Sequence, residues 1–193
     1  DQYIENGVVE TTNIKIDNLM KITDEIQNFL LGDRQDFAIR GIIDDQEQIV
    51  FKEREIVHME DVKNLFNAGI ILRNTCGLIE LICGIYFYKK DKITLYKSMK
   101  YSAIAFIAGG IFLRVLLSQD FNKYFVVFHK IFFTNDYWIL DPTESVLINM
   151  VDIHFFMNIA TLILGTSLAF LLAIGILGAF MERRIKGRVI HKK

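Results

Sequence analysis

Apolar residues gather into three long runs separated by short charged segments. The first extends roughly from Leu65 to Tyr88, the second from Tyr101 to Leu117, and the third from Phe155 to Met181. About 20 apolar residues of helix cross bilayer hydrocarbon, so each run predicts a membrane-spanning helix, the second being the shortest. Lys89, Lys90, Asp91 and Lys92 close the first run, and Met181-Glu182-Arg183-Arg184 close the third.

Outside these runs the periodicity changes. Over residues 14–31, Ile16, Leu19, Met20, Ile26 and Leu30 fall on one helical face, and Gly32 is a natural stop. Phe37-Ala38-Ile39-Arg40-Gly41-Ile42-Ile43 and Ile49-Val50-Phe51-Lys52 flank the polar turn Asp44-Asp45-Gln46-Glu47, which predicts a β-hairpin over residues 37–51. From about Glu53 an acid-headed helix runs straight into the first span. Between the second and third spans, Phe121, Tyr124, Phe125, Phe128 and Phe132 recur at helical spacing and predict an interfacial helix. Tyr137 and Trp138 follow as interfacial anchors, and Asp141-Pro142-Thr143-Glu144 reads as a further helix start. Small residues at Gly165-Thr166-Ser167 read as a helix-packing surface in the third span.

Basic residues orient the spans. Lys89, Lys90, Lys92, Lys97 and Lys100 lie between the first two spans, and Arg183, Arg184, Lys186, Arg188, Lys192 and Lys193 follow the third. Both segments are therefore expected in the cytoplasm. The connection between the second and third spans sets Lys123 and Lys130 against Asp120, Asp136, Asp141, Glu144 and Asp152, and is expected outside. The N-terminal segment then also lies outside. Such a segment needs a signal or helix to carry it across, and residues from Asp1 offer none, so four native spans are expected. The predicted fold class is an all-α polytopic membrane helix bundle with a small extracellular cap containing a β-hairpin and short helices. Residues 1–57 form the cap, 58–88 the helix entering the first span, and 101–118 the second span. Residues 119–154 form the outer loop, 155–181 the third span and 182–193 the cytoplasmic tail.

Composition sharpens this picture at few points. The 193 residues are 52% hydrophobic with a net charge of -1, which gives no basic surface for nucleic acid. Cys76 and Cys83 lie seven apart in one span, roughly 10 Å along a helix, too far for a disulfide. No Cys/His spacing predicts a metal site, and no serine elbow, zinc-protease or phosphate-loop motif occurs.

Candidate chemistry rests on histidines and on charges within the spans. His58 and His129 are both expected at the outer membrane face among polar groups. Two imidazoles there can share acid–base work near neutral pH; the plain alternative is that each only hydrogen-bonds at the interface. His154 beside Asp152 reads as an interfacial side chain, and His191 as part of the basic tail. Arg73, Glu80 and Arg114 lie within spans, where charges usually face a partner or a water-filled cavity. They suggest an outward polar pocket, an interhelix ion pair or, for Arg114, a contact with phosphate headgroups. A transporter using this charged path is disfavoured by the absence of an internal repeat. A non-enzymatic sensor or accessory protein that binds a partner through its cap is the other reading.

Two segments carry a family resemblance. Arg54-Glu55-Ile56-Val57-His58-Met59-Glu60-Asp61-Val62-Lys63 follows a pattern of Arg-Glu, His-Met and Asp-Val-Lys. Phe128-His129-Lys130-Ile131-Phe132-Phe133-Thr134-Asn135-Asp136, with Trp138 and Asp141-Pro142 after it, follows a second. With the span arrangement, the chain resembles the lipoprotein intramolecular transacylase family of Gram-positive bacteria. It departs from that pattern at Val151 and Asp152, where proline and glutamate are expected. The resemblance implies an enzyme of the bacterial cell membrane that needs no cofactor. It would move an acyl chain from the glyceryl group of a lipoprotein's diacylglyceryl cysteine to that cysteine's own α-amino group, giving a lyso-form lipoprotein. The expected partners are the lipidated lipoprotein and bilayer lipid. The resemblance places His58 and His129 in the active site, which faces outside. Arg54, Asp61, Lys63, Arg114, Asn135, Asp136 and Trp138 are expected to bind substrate.

The predicted topology is checked by accessibility. With Cys76 and Cys83 replaced, single cysteines at Asp44 and at Lys92 are expected to label from opposite faces of intact cells. Reaction of both with a membrane-impermeant maleimide rules the arrangement out.

Overall fold

The structure, a computed structural model, describes residues 2–190. The chain divides into two compact units. One comprises the residues up to Ile71 together with Val126–Met157, and the other Leu72–Phe125 with the residues from Asn158 onward. In chain order the helices and strands are α1 (Gln2–Glu5), α2 (Val8–Thr12), α3 (Ile16–Leu31), β1 (Arg40–Ile43), β2 (Gln46–Ile49), α4 (Glu53–Lys90), α5 (Lys92–Gln119), α6 (Phe121–Phe132), α7 (Val146–Met150) and α8 (Ile153–Ile190). The expected fold class stands: the chain is mostly helical, with three helices long and apolar enough to span a membrane and one small hairpin.

The first unit gathers its core around α3. Leu19, Ile22 and Phe29 bury one face of that helix, with Ile26 and Leu30 partly covered beside them. Met20, expected on this face, is half exposed, because the buried stripe runs through Ile22 and Phe29 and Met20 lies beyond its edge. Gly32 ends α3 in the left-handed region at φ 94°, and its N–H donates to the carbonyls of Asn28 and Phe29. The side chains of Val50, Phe51, Met59, Leu147 and Met150 complete the core. The short helices expected in the cap include α1 and α2, whose positions no sequence pattern marked. They add Val8 to the core, together with a Tyr3–Thr23 hydroxyl contact of 2.7 Å.

The hairpin forms where expected but is shorter. β1 and β2 pair antiparallel from Arg40 opposite Ile49 to Ile43 opposite Gln46. The turn is Asp44-Asp45 alone, and Gln46 and Glu47 belong to the strand. Asp44 and Asp45 have φ of 51° and 60°, the primed two-residue geometry that suits the twist of a hairpin. Phe37 and Ile39 are wholly buried but lie outside the ladder. The Phe37 ring is held 5.0 Å from Phe29 and 4.7 Å from Phe51, and the Val50 N–H donates to the Ile39 carbonyl at 2.9 Å, so ring packing and one further backbone bond fix that segment. Gly41 is required by close approach: a Cβ there would sit 2.7 Å from Val50 Cγ2 and 2.9 Å from Ile22 Cδ1.

One buried carboxylate ties two helix starts together. Glu55 is 1% exposed. Its Oε2 accepts the Lys52 N–H at 2.7 Å, as a glutamate at the third position of a capping box does. Its Oε1 accepts from Ser145 Oγ at 2.6 Å and from the Leu147 N–H at 2.8 Å, at the start of α7. The helix expected to start at Asp141-Pro142 begins instead at Val146, with Ser145 as its cap. Asp141 is engaged in a turn in which its carboxylate accepts from the N–H and hydroxyl of Thr143. Asp152, where glutamate was expected, caps α8 by accepting the Phe155 N–H at 2.8 Å.

In the second unit α5 and α8 pack through small residues, but not those expected. Gly165 has open space around it. The close approach occurs further along, where a Cβ at Gly178 would meet the Tyr96 carbonyl oxygen at 2.8 Å and one at Gly175 would meet Ala103 Cβ at 3.0 Å. Between lipid-solvated helices, such close backbone approach is what gains dispersion contact. Glu182 beside this crossing takes ion pairs of 2.7 Å from both Lys100 and Lys186. The basic segments expected as loop and tail are largely helical. Only Asp91 separates α4 from α5, where its carboxylate caps the new helix by accepting from Thr94, and α8 continues to Ile190. Large apolar side chains on these helices stay exposed, among them Phe106, Phe112 and Phe170, as lipid contact allows. Arg73 and Glu80 form no ion pair among the described residues. Both are exposed on α4, and Arg73 donates to its neighbour Asn74.

The Glu55 junction has a measurable cost of removal. Glu55→Ala strands the hydroxyl of Ser145 and two backbone N–H groups, and is expected to destabilise the protein by roughly 3 kcal/mol. Glu55→Gln, which keeps an acceptor oxygen, is expected to lose less. Thermal unfolding in detergent reads both. An alanine variant within ~0.5 kcal/mol of the parent, the range of an ordinary surface change, overturns the assignment.

Candidate active site

The two motif histidines meet. His58 lies near the start of α4 and His129 in the last turn of α6, and their ring centroids are 5.9 Å apart. Both are buried, at 8% and 6% exposure. Aromatic side chains enclose them. Phe133, itself buried, lies 5.2 Å from the His58 ring and 5.4 Å from the His129 ring, and so touches both. Trp138 lies along His129 at 4.9 Å, and Phe128 meets its edge at 5.4 Å. The local sequence explains this. The Phe133 N–H donates back to the His129 carbonyl, closing the last turn of α6, and Asn135 Oδ1 accepts the Tyr137 N–H to fold the chain back beneath the rings.

This surrounding sets the charge state of His58. Burial pushes its pKa down to about 4, with proximity to His129 acting the same way and the Asp61 carboxylate opposing them. Burial therefore outweighs Asp61, and His58 is a neutral imidazole at neutral pH. Its Nδ1 is buried without a hydrogen-bond partner. An unsatisfied ring nitrogen in an apolar box is poised to accept or share a proton with an incoming polar group.

The remaining expected residues divide by location. Arg54, one turn before His58, donates to the Asp136 carbonyl and lies 5.6 Å from the centre of the Tyr137 ring. Asp61, one turn after His58, accepts from Asn135 Nδ2 at 2.8 Å. These contacts bracket the histidine pair and tie α4 to the segment after α6. Asp136 contributes its carbonyl to them, while its carboxylate is left exposed. Lys63 is drawn elsewhere in the first unit: its Nζ donates to the Arg34 carbonyl at 2.9 Å and lies 4.1 Å from the Phe29 ring centre. Arg114 belongs to the second unit, where Nη1 donates to Thr161 Oγ1 at 2.7 Å. His154 is exposed at the start of α8.

Two cavities open along this stretch of α4. One of about 330 Å³ is lined by Lys52, Arg54, Glu55, Ile139, Leu140, Asp141, Glu144 and Ser145. The other, of about 170 Å³, is lined by Asp61, Asn64, Leu65, Phe132, Phe133, Thr134 and Asn135. Phe133 joins the smaller cavity to both imidazoles. Phe133 and Glu55 lie within the two sequence motifs, but neither is among the expected site residues. The four-residue spacing from His129 and the three-residue spacing from Lys52 are the signals that mark them. No group of three or more metal-ligating side chains occurs among the described residues.

Comparison with known proteins supplies the identity. A solved structure of the membrane-integral lipoprotein intramolecular transacylase Lit from Bacillus cereus superposes with a TM-score of 0.72 at 25% identity, over 98% of this chain and 82% of that one. A variant of the same Bacillus cereus protein with one histidine replaced by arginine matches with a TM-score of 0.67 at 24% identity. It covers 100% of this chain and 80% of the other. No curated protein sequence matches the chain. Residues 2–156, most of the chain and all of the histidine site, match the family described as lipoprotein intramolecular transacylase Lit, and the chain belongs to that family.

Proposed function

We propose that His58 and His129 are the acid–base pair of an acyl transfer carried out within one lipoprotein molecule. The chain is a membrane acyltransferase of its family. It moves an acyl chain from the glyceryl group of a diacylglyceryl cysteine to the cysteine α-amino group. The observation that supports the histidine roles is the buried pair itself, two rings 5.9 Å apart around a shared phenylalanine.

The chemistry needs one proton removed and one returned. The neutral α-amine attacks the ester carbonyl, giving a tetrahedral oxyanion. A C–N bond forms, the attacking nitrogen loses a proton, the C–O bond to glycerol breaks, and the departing alkoxide gains a proton. His58, held neutral with an open Nδ1, suits the accepting role, and His129 suits delivery to the leaving oxygen. No covalent acyl-enzyme is needed, because donor and acceptor belong to one substrate and positioning supplies much of the rate. Exclusion of water by Phe128, Phe133 and Trp138 protects the ester from hydrolysis. Asp61, with Asn135 behind it, is placed to hold the amine. Arg54 fixes the loop that carries Trp138. Lys63 fits an anchor between α4 and α3, and Arg114 fits a contact within the spans. The basic residues around α4–α5 and after the third span support an outward-facing site and a cytoplasmic C-terminus.

His58→Asn and His129→Asn are each expected to lower lyso-form production about 10²–10⁴-fold, and the double variant by little more than the worse single one, because the pair acts as a unit. Mass analysis of a diacylglyceryl lipopeptide incubated with purified enzyme measures this, with thermal unfolding as the check on folding. Near-parental turnover in either variant defeats the proposal.

The pKa of His58 also predicts a pH dependence of stability. Its folded value lies near 4, below the ordinary 6.5, so between those values the unfolded chain binds more protons. Stability is therefore expected to fall as pH drops from about 6.5 towards 4. His58→Asn is expected to flatten part of that slope in melting temperatures recorded across the range. An identical slope in both proteins contradicts a buried neutral His58.

A further inference from the structure

The 330 Å³ cavity lies on the other side of His58 from the span. Along α4 the order is Arg54 and Glu55, then His58, then Asp61, Asn64 and Leu65, with the apolar run beginning at Leu65. At 1.5 Å rise per residue, Arg54 is about 6 Å before His58 and Leu65 about 10 Å after it. The smaller cavity is on the span side, with Leu65, Phe132 and Phe133 among polar groups of Asp61, Asn64, Thr134 and Asn135. The larger is on the cap side and is walled by charged and hydroxyl side chains, with Ile139 and Leu140 as its apolar surface.

The substrate runs in the same direction as α4, from water at the polar start of the helix to lipid along its apolar run. Its acyl chains end in lipid, its ester and amine sit at the junction, and a polypeptide leaves the cysteine carbonyl on the water side. We infer that the cap-side cavity is a subsite for the polypeptide segment that follows the modified cysteine. This rests on the acyl-transfer reading above and extends it to the part of the substrate that does not react.

Three features of the cavity favour peptide over another polar ligand. Its charges are mixed, with Lys52 paired to Glu144 at 3.0 Å and Arg54 already committed to the Asp136 carbonyl, so no cationic cluster is left for a phosphate headgroup. It offers both donors and acceptors, which suits successive amide N–H and C=O groups. Its volume is at the small end of ligand sites, which suits a short stretch of chain rather than a folded domain. The Glu55 junction forms its floor, since Glu55 and Ser145 both line it. Binding energy gained there positions the amine against the ester at His58, so contacts remote from the reacting atoms raise turnover.

Substrates of graded length test the subsite. Purified full chain is given diacylglyceryl-cysteine amide and the same group on a neutral pentapeptide, and kcat/KM is measured for each. The ratio of pentapeptide to single-residue substrate is expected to exceed about tenfold in the parent, equal to roughly 1.4 kcal/mol of added contact. Ile139→Trp fills the cavity from an exposed position and is expected to bring the ratio close to one, and Glu144→Trp gives a second route to the same result. Because the readout is a ratio within one protein, partial loss of folding cancels. A parental ratio near one overturns the inference, as does a ratio unchanged by both tryptophans. Failure of the parent to turn over even the single-residue substrate would instead count against the acyl-transfer reading. A phosphate-headgroup site would appear as inhibition by a soluble glycerophosphodiester that the tryptophans relieve, and would also overturn it.

Discussion

The site is built on the Glu55 carboxylate. It caps its own helix through the Lys52 N–H and holds the start of α7 through Ser145 and Leu147, with 1% of its surface exposed. Burying a carboxylate is costly unless its oxygens are fully engaged, and here three donors engage them. That requirement couples elements some ninety residues apart in sequence. It fixes the azimuth of α4 against the segment after α6, and with it the direction in which His58, one turn further on, faces. Arg54 and Asp61 repeat the coupling on either side of the histidine, through the Asp136 carbonyl and Asn135.

With α4 so oriented, the chemistry of the site follows from desolvation. His58 and His129 lie between Phe128, Phe133 and Trp138, where a charged imidazole loses hydration. Asp61 stands close enough to favour the charged form, yet burial wins and His58 stays neutral. In the reaction proposed above, the same enclosure that sets the proton affinity would also exclude water from the ester, so that charge state and selectivity would share one cause.

The membrane-spanning part follows a different rule. Its helices leave large apolar side chains exposed because lipid solvates them as well as a protein core does. The closest backbone approach occurs where glycine allows it, at Gly175 and Gly178 against α5. Gly165, equally small and in the same span, packs against nothing nearby. Residue size identifies candidates for such contacts, while the facing surface selects among them.

The sequence by itself determined the three spans, the helix running from Glu53 into the first of them, the amphipathic α3 with its glycine stop, and the hairpin. Each depends on periodicity or on local backbone preference, which neighbours in sequence carry. The two histidine motifs likewise identified the residues of the pair and the family. Tertiary structure alone decided that the rings meet, that Phe133 joins them and that Glu55 locks α4 to α7. It also decided that Lys63 serves α3 and that Arg114 pairs with Thr161. Met20 turned outward and the start of α7 moved from Asp141 to Val146 for the same reason. Which face of a helix is buried, and which cap a carboxylate reaches, depends on partners distant in the chain. Burial energy and hydrogen-bond satisfaction are properties of those partners together, and no local pattern encodes them.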